Sequence, residues 1–385
     1  MSASRLPHHV DSAPFDPEAG ERLSPELERY YLSSQWRMMW LKLRRHRVAV
    51  FSAGLLGVFY LAIVIAEFLA PYEPNARNVD FIYAPPQRVR LFHEGELVGP
   101  FVYGLEHRLD LENLHRIYTP NPTQVQKLRF FCRGAPYHFW GMVEASFHLV
   151  CPAEGGTLFL FGTDRLGRDV LSRILYGGRI SLTIGVVGIA LAFVLGIVLG
   201  GIAGFYGGWI DAAITRAIEI IRSFPKLPLF MALAAALPVW LSPIWVYFGL
   251  TLILALVDWT GLARAVRGKI LSLREEDFTV AATLMGASPR RIIGRHLLPS
   301  FMSHLIAVAT LNIPEMILAE TALSFLGIGL RPPVVSWGVL LTEAQNVNAV
   351  ALYPWLLLPM APVVLTVLAF NFLGDGLRDA ADPYK

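Results

Sequence analysis

The chain has 385 residues, of which 54% are hydrophobic and only 16% charged, with a formal net charge of +3 and a mean hydropathy of +0.48. So apolar a composition excludes an ordinary soluble globule and predicts an integral membrane protein. The basic residues cluster in a few loops and form no continuous stripe, which argues against a nucleic-acid partner.

Residues 1–46 are expected to form a cytoplasmic tail and an interfacial helix. The first 35 residues are polar and contain proline, without the apolar core of a cleavable signal peptide. Residues 1–23 read as a mobile tail, and Ser24-Pro25 with Glu26 and Glu28 is a helix-start signal. Beyond it Trp36, Met39, Trp40 and Leu43 share one helical face. Arg37, Lys42, Arg44, Arg45 and Arg47 supply positive charge suited to anionic headgroups. Residues 47–70 hold the first transmembrane helix, uncharged from Val48 to Ala66 and ended by Pro71 and Pro74. The basic cluster before it places the N-terminus in the cytoplasm.

Residues 71–178 then lie outside as an extracytoplasmic insertion, rich in aromatics and in turn signals such as Pro85-Pro86 and Gly155-Gly156. Alternating runs at Arg88 to Phe92 and Thr157 to Phe161 suggest a small domain with strands. Both cysteines, Cys132 and Cys151, fall here. An oxidising compartment permits a disulfide between them, with two free thiols as the alternative. The glycine spacing of GTDRLGRD, residues 162–169, imitates a phosphate loop. Asp169 stands where Ser or Thr would hold magnesium, so the stretch reads instead as a turn leading into a helix that runs to Tyr176, before Gly177-Gly178. Gly162, Asp164, Gly167, Arg168 and Asp169 are its candidate structural residues.

Residues 179–376 contain five more predicted spans. Gly196, Gly200, Gly204 and Gly208 recur at every fourth position in the first of them, a smooth face for close helix packing. Asp211 to Leu237 is the next, with Arg216, Glu219 and Arg222 at i, i+3 spacing. Ile244 to about Val266 follows, with Asp258 inside it, a costly placement unless the carboxylate is paired. Phe301 to Phe325 carries Pro314 as an expected kink, and Glu315 and Glu320 either face an aqueous pathway or pair with a neighbouring helix. Leu323 to Leu341 is a Gly- and Pro-rich outer loop, Ala349 to Leu373 the last span, and residues 377–385 a cytoplasmic tail. His296 and His304 lack partner histidines, so no metal site is expected.

Between the fourth and fifth spans lies a polar, basic loop, residues 272–298. Phe278, Ala281, Ala282 and Met285 recur at i, i+3, i+4 and i+7, an apolar stripe on a short helix. Gly286 is suited to end that helix in the left-handed conformation, and Ser288-Pro289 to start another. An amphipathic loop helix resting on headgroups would show the same pattern.

Three stretches carry a family resemblance. AA(x)3G followed by LP in the 272–298 loop resembles the cytoplasmic coupling loop of permease subunits of ABC importers. The segments GTDRLGRDVLSRILYGGRISL and LSFLGIGLRPPVVSWGVLL resemble the oligopeptide and dipeptide permease family, in its second, C-type subunit. One departure is Val280, where the family has Glu; Glu275, Glu276 and Asp277 lie upstream. The resemblance implies an all-α polytopic membrane protein of six transmembrane helices with a type I ABC importer (MetI-like) core, plus a small extracytoplasmic domain between helices 1 and 2. It also implies a multi-pass protein of the bacterial inner membrane with both termini cytoplasmic. Its expected partners are a sister permease subunit, two ATPase subunits that bind ATP and Mg, and an extracytoplasmic solute-binding protein. The chain itself would hold no cofactor and catalyse nothing, while Phe278, Ala281, Ala282, Met285 and Gly286 would couple it to the ATPases. Peptides are the implied solutes, with oligosaccharides of the α-galactoside type or opine-like solutes as the alternative. An ion-coupled secondary transporter is the rival from another class, but it would need inverted repeats, which are not seen.

Overall fold

The computed structural model describes residues 35–111, 115–238 and 240–382. The expected tail and the Ser24-Pro25 helix start lie outside these. Helix α1 (Gln35–Arg45) leads through His46, whose imidazole caps Ala49 N, into α2 (Arg47–Val64). The apolar face expected of α1 is divided. Met39 and Leu43 are buried against Ala49 and Ala380, while Trp36 and Trp40 remain exposed.

The bundle continues with α3 (Val170–Tyr206), α4 (Gly208–Ser223), α5 (Lys226–Ala235), α6 (Pro243–Leu273), α7 (Asp277–Leu284), α8 (Pro289–Phe325), α9 (Trp337–Leu341) and α10 (Met360–Ala381). Among the described residues, five helices are long and apolar enough to cross a membrane: α2, α3, α6, α8 and the stretch ending in α10. The sixth crossing expected over 211–237 is broken into α4 and α5. Phe224 is extended and Pro225 caps α5, because a residue before proline is pushed out of the helical region and proline has no N–H for the ladder.

Glycines set the closest packing. A Cβ on Gly196 would lie 2.7 Å from Leu262 Cβ, and one on Gly204 would lie 2.8 Å from the Arg267 carbonyl oxygen; one on Gly200 would strike Ala263 O. Helices α3 and α6 therefore touch backbone to backbone. Their contacts advance together along both chains, from Gly188 near Thr251 to Gly204 near Ile270, so the two helices run parallel. Gly208 is not on this face, since α3 ends at Tyr206 and Gly207, with φ of +67°, makes the turn. We predict that Gly200→Val lowers stability by about 1–3 kcal/mol through overpacking. Thermal unfolding in detergent checks this, with Gly268→Ala, where a Cβ meets nothing within 4 Å, expected to be neutral.

Gly177 and Gly178 do not interrupt a helix, contrary to the sequence expectation. They lie inside α3, and their missing side chains admit Ser336 and Trp337. Helix α8 includes a π-helical turn at Ile292–Leu297, and its non-helical residue is Phe301, whereas Pro314 lies within the helix.

The insertion is built of strands β1 (Arg90–His93), β2 (Glu96–Asp110), β3 (His115–Lys127), β4 (Arg129–Phe139) and β5 (Val143–Cys151). The first three form one antiparallel sheet and β4–β5 a separate hairpin. Thr157 to Phe161 is not a strand. Its backbone bonds side chains instead: Leu158 N donates to the Tyr72 hydroxyl and Phe159 N to Gln87 Oε1. Cys132 and Cys151 are disulfide-bonded across the β4–β5 hairpin, 19 residues apart. Replacing both by serine is expected to cost about 3 kcal/mol. The measurement is limited proteolysis, with cleavage accelerated within residues 129–151 and the helices left intact.

Candidate functional site

The 272–298 loop lies at the end of the bundle opposite the insertion, because α3 starts at the insertion and runs parallel to α6. Thr279 Oγ1 donates to the Leu273 carbonyl (2.8 Å), which ties α7 to the end of α6. At its other end Gly286 N bonds Thr283 O, Ala287 N bonds Ala282 O, and Gly286 takes φ of +79°, so the helix closes with a left-handed cap. Ala282 is buried with Val266 and Ile270 of α6 and Ile292, Leu297 and Phe301 of α8. This clamps one face of α7. Phe278, Ala281, Leu284 and Met285 are exposed on it, Leu284 at 84% and Met285 at 82%.

Ala282 therefore does not belong to the exposed stripe expected from spacing. In a helix of eight residues, the 100° step from Ala281 to Ala282 is enough to move a side chain from the outer to the clamped face. Leu284 was missed by that reading and is the most exposed apolar side chain of the loop. Val280 is also exposed, beside Glu275 and Glu276.

A second feature lies within the bundle. Lys226 Nζ is 3.0 Å from Asp258 Oδ1 and 2.7 Å from Glu315 Oε2, joining α5, α6 and α8. Asp258 is 15 residues from either end of α6, and so about 22 Å from each by helical rise. The Lys226 and Glu315 side chains are 54% and 57% exposed in this single chain. Charges at that depth are costly against hydrocarbon. Sequence spacing gave no hint of Lys226, which meets Glu315 across 89 positions. On α4, Arg216 pairs with Glu219 (2.8 Å), and Asp211 ties to Arg267 of α6.

Of the two alternatives for Glu320, the structure shows the pairing with a neighbouring helix, since Ser181 lies on α3. The Glu320 side chain is wholly buried: Ser181 Oγ donates to Oε2 (3.1 Å) and Ser324 Oγ to Oε1 (2.9 Å). The same serines accept the N–H groups of Trp337 and Leu330. The carboxylate thus pins the 323–341 segment, which folds back as α9 with Trp337 Nε1 donating to Ile174 O. That segment packs into the bundle and is not simply an outer loop.

The 162–169 turn is a buried ionic clasp. Asp164 Oδ1 accepts the Leu166 and Arg168 N–H groups, and Oδ2 the Arg168 Nε (2.7 Å) and an Arg173 guanidinium N–H. Glu343 approaches from the far loop, 3.5 Å from Arg168 and 3.6 Å from Arg165. Gly162 and Gly167 both have positive φ, and a Cβ at Gly167 would strike the Asn78 carbonyl. Asp169 caps α3 by accepting Ser172 N (2.7 Å) and Ser172 Oγ (2.6 Å). Burial pushes the Asp169 carboxyl up to about 6, against those donors, and also raises that of Glu343. Asp164, Arg168 and the Asp169 Oδ2 thus bond within the fold, which gives the turn a structural role. Glu343 and Trp355, which donates to Thr163 O, are partners that sequence reading missed.

Two family models match the chain. One, the binding-protein-dependent transport system inner membrane component, matches residues 196–384, and the other, the N-terminal TM domain of oligopeptide transport permease C, residues 34–86. The oligopeptide transport system permease protein OppC of Haemophilus influenzae is 36% identical over 324 residues, 80% of this chain and 96% of that protein. The dipeptide transport system permease protein DppC of Alkalihalophilus pseudofirmus is 42% identical over 224 residues, 58% of this chain and 71% of that protein. A solved structure of the MetNI methionine ABC transporter in inward-facing conformations aligns with 54% of this chain and 96% of its own, at 20% identity and a TM-score of 0.43.

Proposed function

The chain belongs to the family of binding-protein-dependent transport system inner membrane components, and from that premise we propose that it forms one half of the membrane pathway of an ATP-driven peptide importer. The observation that carries the proposal is α7: a short helix clamped through Ala282 and holding Phe278, Ala281, Leu284 and Met285 outward. An exposed apolar face on a rigid base suits a docking partner, since little conformational entropy remains to be lost on binding.

In this reading two partner ATPase subunits bind ATP and magnesium, and one of them receives α7. Their closure moves α7 as a body, and Ala282 passes the motion to α6 and α8. Coupling requires that the ATP-bound state favour one permease conformation through a differential interaction at that loop. The loop end is then cytoplasmic, as are both termini, and the insertion faces the solute-binding protein. A sister permease covers the opposite side of the cleft, with Lys226 and Glu315 facing the path between the two subunits. Peptides are the solute class, because the relatives that match most of this chain are named for oligopeptides and dipeptides.

Gentle purification from the native membrane through a tag on this chain tests the proposal. A second permease and two ATPases are expected to co-purify, with a binding protein that takes peptides in preference to oligosaccharides. Recovery of the chain alone, with uptake in liposomes driven by an ion gradient, would overturn it.

A further inference from the structure

The insertion touches the bundle in a way that the transport reading leaves unused. At the tip of the β4–β5 hairpin, Trp140 Nε1 donates to the carbonyl of Val64 (3.0 Å), the last residue of α2, and Trp140 N donates to Glu67 Oε1 (3.1 Å). The Arg179 guanidinium lies over the Trp140 ring, 4.0 Å from its centroid, and pairs with Glu67 at 2.7 Å. Further along the hairpin Phe147 stacks on Phe68, and His148 Nδ1 lies 2.9 Å from the Ala70 carbonyl oxygen. The contacts therefore climb in step: 140 against 64, 147 against 68, 148 against 70. The hairpin runs beside the chain that leaves α2, tip foremost toward the span.

That tip is apolar. Phe139, Trp140, Gly141, Met142 and Val143 carry no charge, and the cross-strand pair of His138 and Glu144 marks where polar side chains begin. Met142 is 81% and Val143 61% exposed, and Leu61 and Val64 are likewise exposed at the end of α2 that Trp140 bonds. A Trp ring with an Arg over its face beside the end of a membrane span has the composition of an interfacial anchor. Residues 87–195, which contain the hairpin, lie between the stretches that the two family models match.

We propose that the β4–β5 tip inserts into the headgroup and acyl boundary of the leaflet around the end of α2, so that lipid holds the insertion at a fixed level over the bundle. The occupant is the bilayer that surrounds α2, because Trp140 fixes the exposed apolar tip at the very end of a membrane-spanning helix. The proposal rests on α2 spanning the membrane and is independent of the solute carried.

The two native cysteines are bonded to each other, so one introduced cysteine is a unique reactive thiol. The full chain is purified as Met142→Cys, labelled with an environment-sensitive nitrobenzoxadiazole dye and placed in nanodiscs of phosphatidylethanolamine and phosphatidylglycerol. Glu154→Cys, beyond the opposite end of β5, is the aqueous reference, its native side chain being 89% exposed. The dye at 142 is expected to emit to the blue of that at 154. It should also be quenched by lipids with a doxyl group near the headgroup and be severalfold less accessible to iodide. Val143→Cys repeats the measurement if the first variant does not fold. Iodide quenching at 142 equal to that at 154 would overturn the proposal. So would a blue shift without doxyl quenching, which would mean that protein and not lipid covers the tip.

Discussion

Met285→Asp is expected to reduce ATP-dependent uptake at least about 100-fold while leaving the chain folded in the membrane. Met285 is 82% exposed and outside the cluster that clamps α7, so the change removes no core contact of this chain. At a docked interface the same aspartate would be buried without a counter-charge, a penalty of roughly 3–5 kcal/mol, and about 1.4 kcal/mol is tenfold in an equilibrium constant. Leu284→Asp should act alike. Gly286→Leu should abolish uptake by another route, because φ of +79° costs a branched side chain roughly 1–2 kcal/mol and tilts the cap that aims α7. Uptake in proteoliposomes, with expression level and melting temperature measured alongside, separates loss of coupling from loss of fold. Uptake near normal in all three variants would remove the role assigned to α7.

Asp164→Ala is expected to destabilise the fold by roughly 3–5 kcal/mol, because it strands two buried guanidiniums. Arg168 and Arg173 both bond this one carboxylate, and each side chain is less than 10% exposed. Glu343 relieves Arg168 only in part, at 3.5 Å. The control is Glu154→Ala, which removes an ion pair whose carboxylate is 89% exposed; such pairs contribute about 0–1 kcal/mol. Melting temperatures of the two variants in the same detergent make the comparison, and equal values would mean that the clasp does not stabilise the fold.

Much of this architecture is legible in the chain. Uncharged runs of sufficient length marked α2 and α3, and long, largely apolar runs with few charges marked α6 and α8, because the bilayer imposes length and apolarity together. Gly286 and Ser288-Pro289 marked the shape of the loop, because a left-handed cap and a proline start are local requirements. What escaped depends on distant partners. Thr157 to Phe161 alternates like a strand, but its N–H groups are taken by Tyr72 and Gln87, far away in sequence. Gly177-Gly178 has the composition of a break and is instead a place where α9 comes close. Glu315 and Glu320 were indistinguishable as acids five positions apart on one helix. One pairs with Lys226 on a half-exposed surface and the other meets a shell of serines, and only the fold decides which. Lys226 itself follows from the break at Phe224-Pro225, which starts a new helix at the depth of Asp258.

The measurement that bears most directly on the central claim is photo-crosslinking from α7. A benzophenone amino acid at position 285, irradiated in native membranes during active uptake, is expected to yield an adduct between this chain and a subunit carrying a phosphate-binding loop, identified by mass spectrometry. Nucleotide should change the yield, because coupling requires the contact to differ between states. Adducts with lipid alone, while uptake proceeds normally, would contradict the account and leave α7 as a helix resting on headgroups.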